Sequence, residues 1–170
     1  MTVSAEEKSL VLDQDTIRRK ITRMAYEIVE NNFGEKSLVL AGIDGQGHML
    51  AKLLEKEISA ISKAGVILVR IGIDKESPET SEVTLDVPLK ELRKKPIIMV
   101  DDVLNTGKII TYSMKPFLST EVKKIEVAVL VNRSHLLFPV FPRYTGYALS
   151  TTLSEHIEVI LGKKSAVYLH

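Results

Sequence analysis

Four short, β-branched-rich runs stand out because they are nearly continuous in hydrophobicity: "SLVLAGI" (37–43), "GVILVRIGI" (65–73), "PIIMVDD" (96–102) and "KIEVAVLVN" (124–132). Strands covered on both faces have this pattern, so the four predict the core of a parallel sheet. Between the first two, Leu50, Leu54, Ile58 and Ile61 recur at helical spacing. Between the last two, Ile110, Met114 and Leu118 do the same, interrupted by Pro116. Strand, helix, strand, taken twice, implies right-handed crossovers. Ahead of them, Ile17, Ile21, Met24 and Ile28 in "TIRRKITRMAYEIVENN" mark an opening amphipathic helix with Asp15 or Thr16 as its cap. "DKESPETSEV" (74–83) is polar, proline-bearing and aperiodic, and predicts a mobile loop of a length that commonly carries function. "HIEVILG" and "SAVYL" predict two late strands joined by Gly162, Lys163 and Lys164.

The alternation predicts an α/β protein, and its 170 residues without repeats, low-complexity tracts or a linker suit one domain spanning 1–170. Twenty-three basic and 22 acidic residues leave a formal net charge of +1, so no bulk attraction to nucleic acid or an anionic membrane is expected. The absence of cysteine excludes disulfides, thiol nucleophiles and thiolate metal sites, and fits a reducing compartment. "MTVSAEEKSLVLDQ" lacks the basic and apolar segments of a leader, and no apolar stretch is long enough to span a bilayer. The expectation is a soluble, cytoplasmic protein with no membrane partner.

"PIIMVDDVLNTGKII" (96–110) holds the chemistry. In open α/β sheets ligands bind beyond the carboxyl ends of the strands, where Asp101 and Asp102 are expected. Consecutive carboxylates leave a strand in different directions, so one orients a cation or sugar hydroxyls while the other braces the loop. Asn105, Thr106, Gly107 and Lys108 then open a helix, whose free N–H groups suit an anion. Together they describe a site for a phosphorylated sugar; alone, the Asp pair would read equally well as a turn signal and cap. A P-loop would require glycine at Asp102 and Ser or Thr at Ile109, and a dinucleotide fingerprint in "GIDGQGHML" would require a small residue at Leu50.

"IIMVDDVLNTGK" resembles the phosphoribosyl pyrophosphate (PRPP) signature of type I phosphoribosyltransferases. "VLDQDTIRRKITRMAYEIVE", "LVLAGIDGQGHMLAKLLEKEI" and "AVLVNRSHLLFPVFPRYTGYALSTTLSEHIEV" resemble, in order and spacing, the bifunctional pyrimidine-operon attenuator and uracil phosphoribosyltransferase family, from about Val11 to Ile160. The resemblance implies the type I phosphoribosyltransferase fold, a mainly parallel central sheet flanked by helices with a small hood. It implies transfer of phosphoribosyl from PRPP to a nucleobase, uracil favoured, giving UMP and pyrophosphate with Mg²⁺ as cofactor. Asp101 and Asp102 would be catalytic and bind ribose hydroxyls directly or through the metal. Val103, Leu104, Asn105, Thr106, Gly107 and Lys108 would form the PRPP turn, the last four holding the 5′-phosphate. Asp44, Gly45, Gln46 and Gly47 would face the pyrophosphate, the 74–83 loop would close over the reacting centre, and Asn132, Arg133 and His135 would form the hood over the base.

The chain also departs from the family. Gln46 stands where a basic residue is usual, Ile73 where an arginine enters the mobile loop, and Ile109 where a second threonine follows the turn. Each change removes a donor or a charge from an anionic ligand, for which Lys75 and Lys108 are candidate compensators. These losses raise an alternative, a catalytically weakened PRPP- or nucleotide-binding regulator. The family's RNA-binding role would fall to Arg18, Arg19, Thr22 and Arg23, but arginines on an amphipathic helix are more simply its solvated face, which is the favoured reading. The four histidines, His48, His135, His156 and His170, show no metal-ligand spacing; His48, His156 and His170 are expected at the surface. The resemblance suggests a homodimer or higher oligomer, and "LLFPVFP" (136–142) reads as either an interface or a hood core.

Overall fold

A computed structural model describes residues 7–170; the first six residues of the amino terminus read for a leader lie outside them. In chain order the elements are β1 (Ser9–Leu12), α1 (Gln14–Asn31), β2 (Ser37–Ile43), α2 (Gln46–Ile61), β3 (Gly65–Gly72), β4 (Thr84–Leu85) and a 3₁₀ turn (Leu89–Leu92). There follow β5 (Pro96–Leu104), α3 (Lys108–Ser113), α4 (Lys115–Leu118), β6 (Lys124–Asn132), β7 (Tyr144–Ala148), β8 (Ile157–Ile160) and β9 (Ala166–Leu169).

The six-stranded sheet runs β4-β3-β2-β5-β6-β7, with all neighbours parallel except the β3–β4 pair. One face buries Leu38, Leu40, Ile98, Val100 and Leu130 against Ile17, Ile21, Met24 and Ile28 of α1 and Leu50, Leu54 and Ile58 of α2. The other buries Val39, Ala41, Ile97, Met99 and Val129 against Leu92, Ile110 and Phe117. Coverage on both sides is why these strands show no polar alternation. Because β2 connects towards β3 and β5 towards β6, the two crossovers leave in opposite directions from adjacent strands. That opens a crevice between the β2–α2 and β5–α3 turns, at the switch point of the sheet.

The helical expectations hold with two shifts. The N-cap of α1 is Asp13, whose Oδ1 accepts from Thr16 N–H at 2.8 Å, rather than Asp15 or Thr16; Asp15 instead pairs with Arg18 at 2.8 Å. Pro116 divides the next helix into α3 and α4 and shifts its phase by one residue, so Phe117 is buried and Leu118 is 70% exposed.

A second, antiparallel sheet, β1-β9-β8, joins the two ends of the chain, with Ser9 opposite Leu169 and Ile157 also opposite Leu169 on its other side. It forms the hood. The predicted late strands are present and joined through Gly162, but β1, β4 and β7 have no counterpart in the hydrophobic pattern. No helix among the described residues is long and apolar enough to cross a membrane.

Candidate active site

A cleft of about 360 Å³ lies at the switch point, within the range of small-molecule sites. Its lining includes Lys75, the continuous stretch 101–110, and His156, Ile157, Glu158 and Val159 of the hood. Thus Asp101, Asp102, Val103, Leu104, Asn105, Thr106, Gly107 and Lys108 share one cavity, as the motif predicts.

The two aspartates differ. The strand continues through them to Leu104, so neither stands at its very end. Asp101 is 7% exposed, and its Oδ1 accepts from Asp102 N–H at 2.9 Å. Burial foremost, then the neighbouring Asp102 charge, pushes its carboxyl well above 3.8, with Lys75 opposing. A β-carbon on Gly47 would meet Asp101 Oδ1 at 2.8 Å and Val100 O at 2.9 Å, so the first turn of α2 rests directly on this carboxyl. Asp101 is the brace; Asp102, half-buried, is the carboxylate that opens to the cleft.

The turn after β5 is shaped by Gly107 at φ +84°, and its α3 has no side-chain cap. A β-carbon there would meet Val140 at 3.1 Å and Leu136 at 3.3 Å. The carbonyl of Thr106 accepts from Leu137 N–H (2.9 Å) and Phe138 N–H (3.1 Å), and Thr106 Oγ1 accepts from Lys108 N–H at 3.3 Å. The "LLFPVFP" segment therefore backs the phosphate turn with Val140, while Leu137 and Phe141 are exposed. The Lys108 ammonium pairs with Glu79 at 3.2 Å, which brings the 74–83 segment onto this turn. That segment is itself folded: Asp74 Oδ1 accepts from Glu76 N–H at 2.9 Å, Ser81 Oγ accepts from Asp74 N–H at 2.9 Å, and Pro78 is buried.

Across the crevice, Asp44, Gly45, Gln46 and Gly47 form the turn into α2, with Gly45 at φ +95° and no side-chain cap. Its side chains are committed elsewhere. Asp44 pairs with Arg70 at 3.5 Å, and Gln46 Oε1 accepts from Leu161 N–H at 2.8 Å, tying the turn to the hood. His48 corrects the surface expectation: it is 7% exposed, burial foremost lowers its pKa, and its Nδ1 is buried without a partner.

The residues assigned to the base behave differently from expectation. Arg133 is 8% exposed and donates from Nε to Thr151 Oγ1 (2.9 Å), from one terminal nitrogen to Asn105 Oδ1 (2.8 Å), and from the other to the carbonyls of Thr152 (3.2 Å) and Glu155 (2.6 Å). It clamps the 151–155 segment to the phosphate turn. His135 Nε2 lies 3.0 Å from Thr151 Oγ1, and Asn132 Oδ1 accepts from Ser134 N–H at 2.9 Å. None of the three lines the cleft.

The hood edge takes that place. His156 and His170 exchange both backbone hydrogen bonds (2.6 and 3.0 Å), and their rings lie edge-on 5.1 Å apart. In an antiparallel ladder such pairs alternate with pairs whose N–H and C=O groups point the opposite way. Ile157 and Val159 therefore turn their peptide groups away from β9 to the free edge that borders the cleft, in phase with the Leu161 N–H held by Gln46. A hydrophobic pattern cannot register a free strand edge, and these residues escaped sequence reasoning; His156 was expected only at the surface.

On α1, Arg18 pairs with Asp15, Arg19 reaches Thr16 Oγ1 at 3.4 Å, and Thr22 Oγ1 donates to Arg18 O at 3.0 Å. Arg23 donates to the carbonyls of Thr145 (2.7 Å) and Gly146 (3.0 Å), sealing the β7 edge. None of the four lines the cleft, and each has a protein partner.

No cluster of three or more His, Asp or Glu groups among the described residues forms a cage for a metal. One open carboxylate, Asp102, fits a cation of the Mg²⁺ type, which binds through one or two carboxylates and completes its shell with substrate oxygens.

A phosphoribosyl transferase domain profile matches residues 9–157. The bifunctional protein PyrR of Fusobacterium nucleatum is 33% identical, the alignment covering 94% of this chain and 97% of that protein. PyrR of Bacillus pumilus is also 33% identical, covering 93% of each. Among solved structures, a hypoxanthine-guanine phosphoribosyltransferase of Bacillus anthracis superposes with a TM-score of 0.72 at 17% identity, covering 86% of this chain and 85% of that one. A hypoxanthine phosphoribosyltransferase of Staphylococcus aureus gives 0.72 at 16%, covering 85% and 79%. The profile spans both turns and most of the cleft lining, and the relatives span nearly the whole chain: this protein belongs to the type I phosphoribosyltransferase family and, within it, to the PyrR group.

Proposed function

We propose that this protein transfers the phosphoribosyl group of PRPP to uracil, giving UMP and pyrophosphate. One observation carries the reading: an open carboxylate, a glycine-bearing phosphate turn and a free strand edge converge on one cleft. The amide groups of the 105–108 turn and the Thr106 hydroxyl hold the 5′-phosphate. Asp102 meets the ribose hydroxyls and, as the glycosidic bond to pyrophosphate breaks, its negative charge favours the positive charge growing at C1′. The N–H and C=O groups of Ile157 and Val159 that turn away from β9 suit the alternating acceptor and donor groups on the edge of uracil. They orient its N1 towards C1′. Mg²⁺, held by Asp102 together with substrate oxygens, would neutralise the leaving pyrophosphate. Asp101, buried at the inner wall of the cleft, braces the strand beneath α2 and leaves Asp102 as the more open carboxylate.

The test is pyrophosphate release from PRPP and Mg²⁺ with a panel of nucleobases, run beside Asp102→Asn. Release with uracil, lost in the variant, supports the assignment; release with a purine alone overturns the choice of base, and no release with any base sinks the transferase reading. A second reading, a nucleotide-binding regulator that has lost turnover, draws on Gln46, whose side chain is taken by Leu161. Tight UMP binding without release would favour it. An RNA-attenuator role resting on Arg18, Arg19, Thr22 and Arg23 draws less support, because each already has a partner within the fold.

A further inference from the structure

Away from the cleft, a second cavity of about 200 Å³ opens between α1, α2 and the turn that joins β8 to β9. Its floor is apolar: Ile17 and Ile21 of α1 are buried, and Leu53 of α2 is half-buried beside them. The hood supplies the third wall. Gly162 turns the chain at φ +132°, and Ser165 Oγ accepts from Gly162 N–H and donates to its carbonyl, at 3.3 Å each. An apolar cavity of about 150 Å³ takes up benzene, so this one has room for a ring of that size with one small substituent.

The mouth selects the substituent. Lys56 of α2 is in the lining, and among the described residues no ion pair holds its ammonium. Arg18 of α1 donates from one terminal nitrogen to Asp15 at 2.8 Å, while its Nε and second terminal nitrogen have no protein acceptor among the described residues. Lys163 and Lys164, both exposed, sit on the turn between the two hood residues of the wall. Glu57 is the one carboxylate of the lining, and its Oε2 accepts from Thr22 Oγ1 at 3.5 Å. Positive charge from α1, α2 and the hood thus rings an apolar floor, which is complementary to an anion carried on a hydrophobic body.

The cavity also reaches the active cleft through one short strand. Ile157 and Val159 of β8 line the cleft, and Gly162, two residues beyond the end of that strand, lines the cavity. Between them Leu161 N–H is held by Gln46 of α2 at 2.8 Å. A ligand seated against Gly162 and Ser165 therefore fixes where β8 lies relative to the helices. We infer that this cavity is an effector site for a small monocyclic carboxylate, whose binding sets the position of the hood strand at the cleft. The site stands apart from the transferase reading, and its effect on nucleotide binding rests on that reading.

Benzoate is the probe, with benzyl alcohol as its uncharged counterpart, titrated into the whole chain with labelled methyl groups: wild type, Lys56→Ala and Leu53→Trp. Saturable NMR shifts are expected at Ile17, Ile21 and Leu53, carried on to Ile157 and Val159. Lys56→Ala should weaken benzoate about two- to fivefold and leave benzyl alcohol unchanged, and Leu53→Trp, whose indole fills the floor, should exclude both. At saturating benzoate the UMP affinity should change by about twofold or more, and by linkage UMP changes the benzoate affinity by the same factor. No saturable shift at the cavity methyls overturns the site. Benzyl alcohol binding as tightly as benzoate overturns the anion, and shifts that stop short of Ile157 and Val159 overturn the coupling. A wild type that releases no pyrophosphate with any base sinks the transferase reading alone, since the methyl shifts report on the cavity without it.

Discussion

Arginine 133 offers the sharpest test of how the cleft is held together. Its buried guanidinium serves four acceptors from two parts of the chain: Asn105 Oδ1 on the phosphate turn, and Thr151 Oγ1 and the carbonyls of Thr152 and Glu155 in the 151–155 segment. Arg133→Ala removes the guanidinium from all four, while Thr151 Oγ1 keeps the His135 ring nitrogen at 3.0 Å and the Thr152 carbonyl keeps Glu155 N–H at 3.3 Å. Thr151 is 9% exposed, so its loss should approach the roughly 1.5–3 kcal/mol of a hydrogen bond from a charged donor. Asn105 and Thr152 are exposed and Glu155 is half-exposed; water replaces the donor there, and about 0.5 kcal/mol each is a fair residue of the interaction. The sum is about 3–4.5 kcal/mol, a large share of the roughly 5–15 kcal/mol that keeps a domain folded. Arg133→Lys retains the charge but has three donors and no planar fork, and should recover less than half. Urea unfolding of the three proteins measures this directly. UMP titration under folding conditions reads the second consequence, a loss of several-fold in affinity as Asn105 and the phosphate turn lose their anchor. A loss below about 1 kcal/mol for Arg133→Ala, or a wild-type midpoint for Arg133→Lys, would refute the clamp.

Three further perturbations probe other parts of the argument. Because burial raises the Asp101 carboxyl above 3.8, the native state retains a proton that the unfolded state has released. The contribution of this group to stability is therefore greatest below 3.8 and declines as pH rises towards the native value. Asp101→Asn should gain on the wild type as pH increases from 3.8 in a urea-unfolding series, and a gap that narrows with rising pH would count against it. Gly47→Ala should cost about 2 kcal/mol because its β-carbon meets Asp101 and the Val100 carbonyl. Gly34→Ala, at φ +84° with nothing within 4 Å, should cost only about 1 kcal/mol of backbone strain; equal thermal shifts would disprove the close approach of α2 to β5. Asp13→Ala should lower the thermal midpoint more than Asp15→Ala, since only Asp13 caps α1; the reverse order would return the cap to Asp15.

The pattern of the chain determined the four central strands, the apolar faces of α1 and α2, and the position of the phosphate turn, because each is written in local periodicity or in a contiguous motif. Burial of a strand on both faces, or of one helical stripe, leaves its mark within a few residues. Resemblance carried the reading further, to the family, but not to the allotment of side chains. Tertiary structure decided that Asp101 is covered by Gly47 while Asp102 is open, since adjacent residues of a strand face opposite sides and only the packing of α2 selects between them. It also decided that Arg133 is a clamp, that Gln46 reaches the hood, and that Lys75 stands over the turn at Gly45. The pairing of the hood lay furthest from view: its late strands β8 and β9 were legible, but β1 is four residues long, too short for a period, and it pairs with β9 across almost the whole length of the chain. Such pairing is selected by the closing of the whole fold, a long-range event that no local pattern of residues encodes.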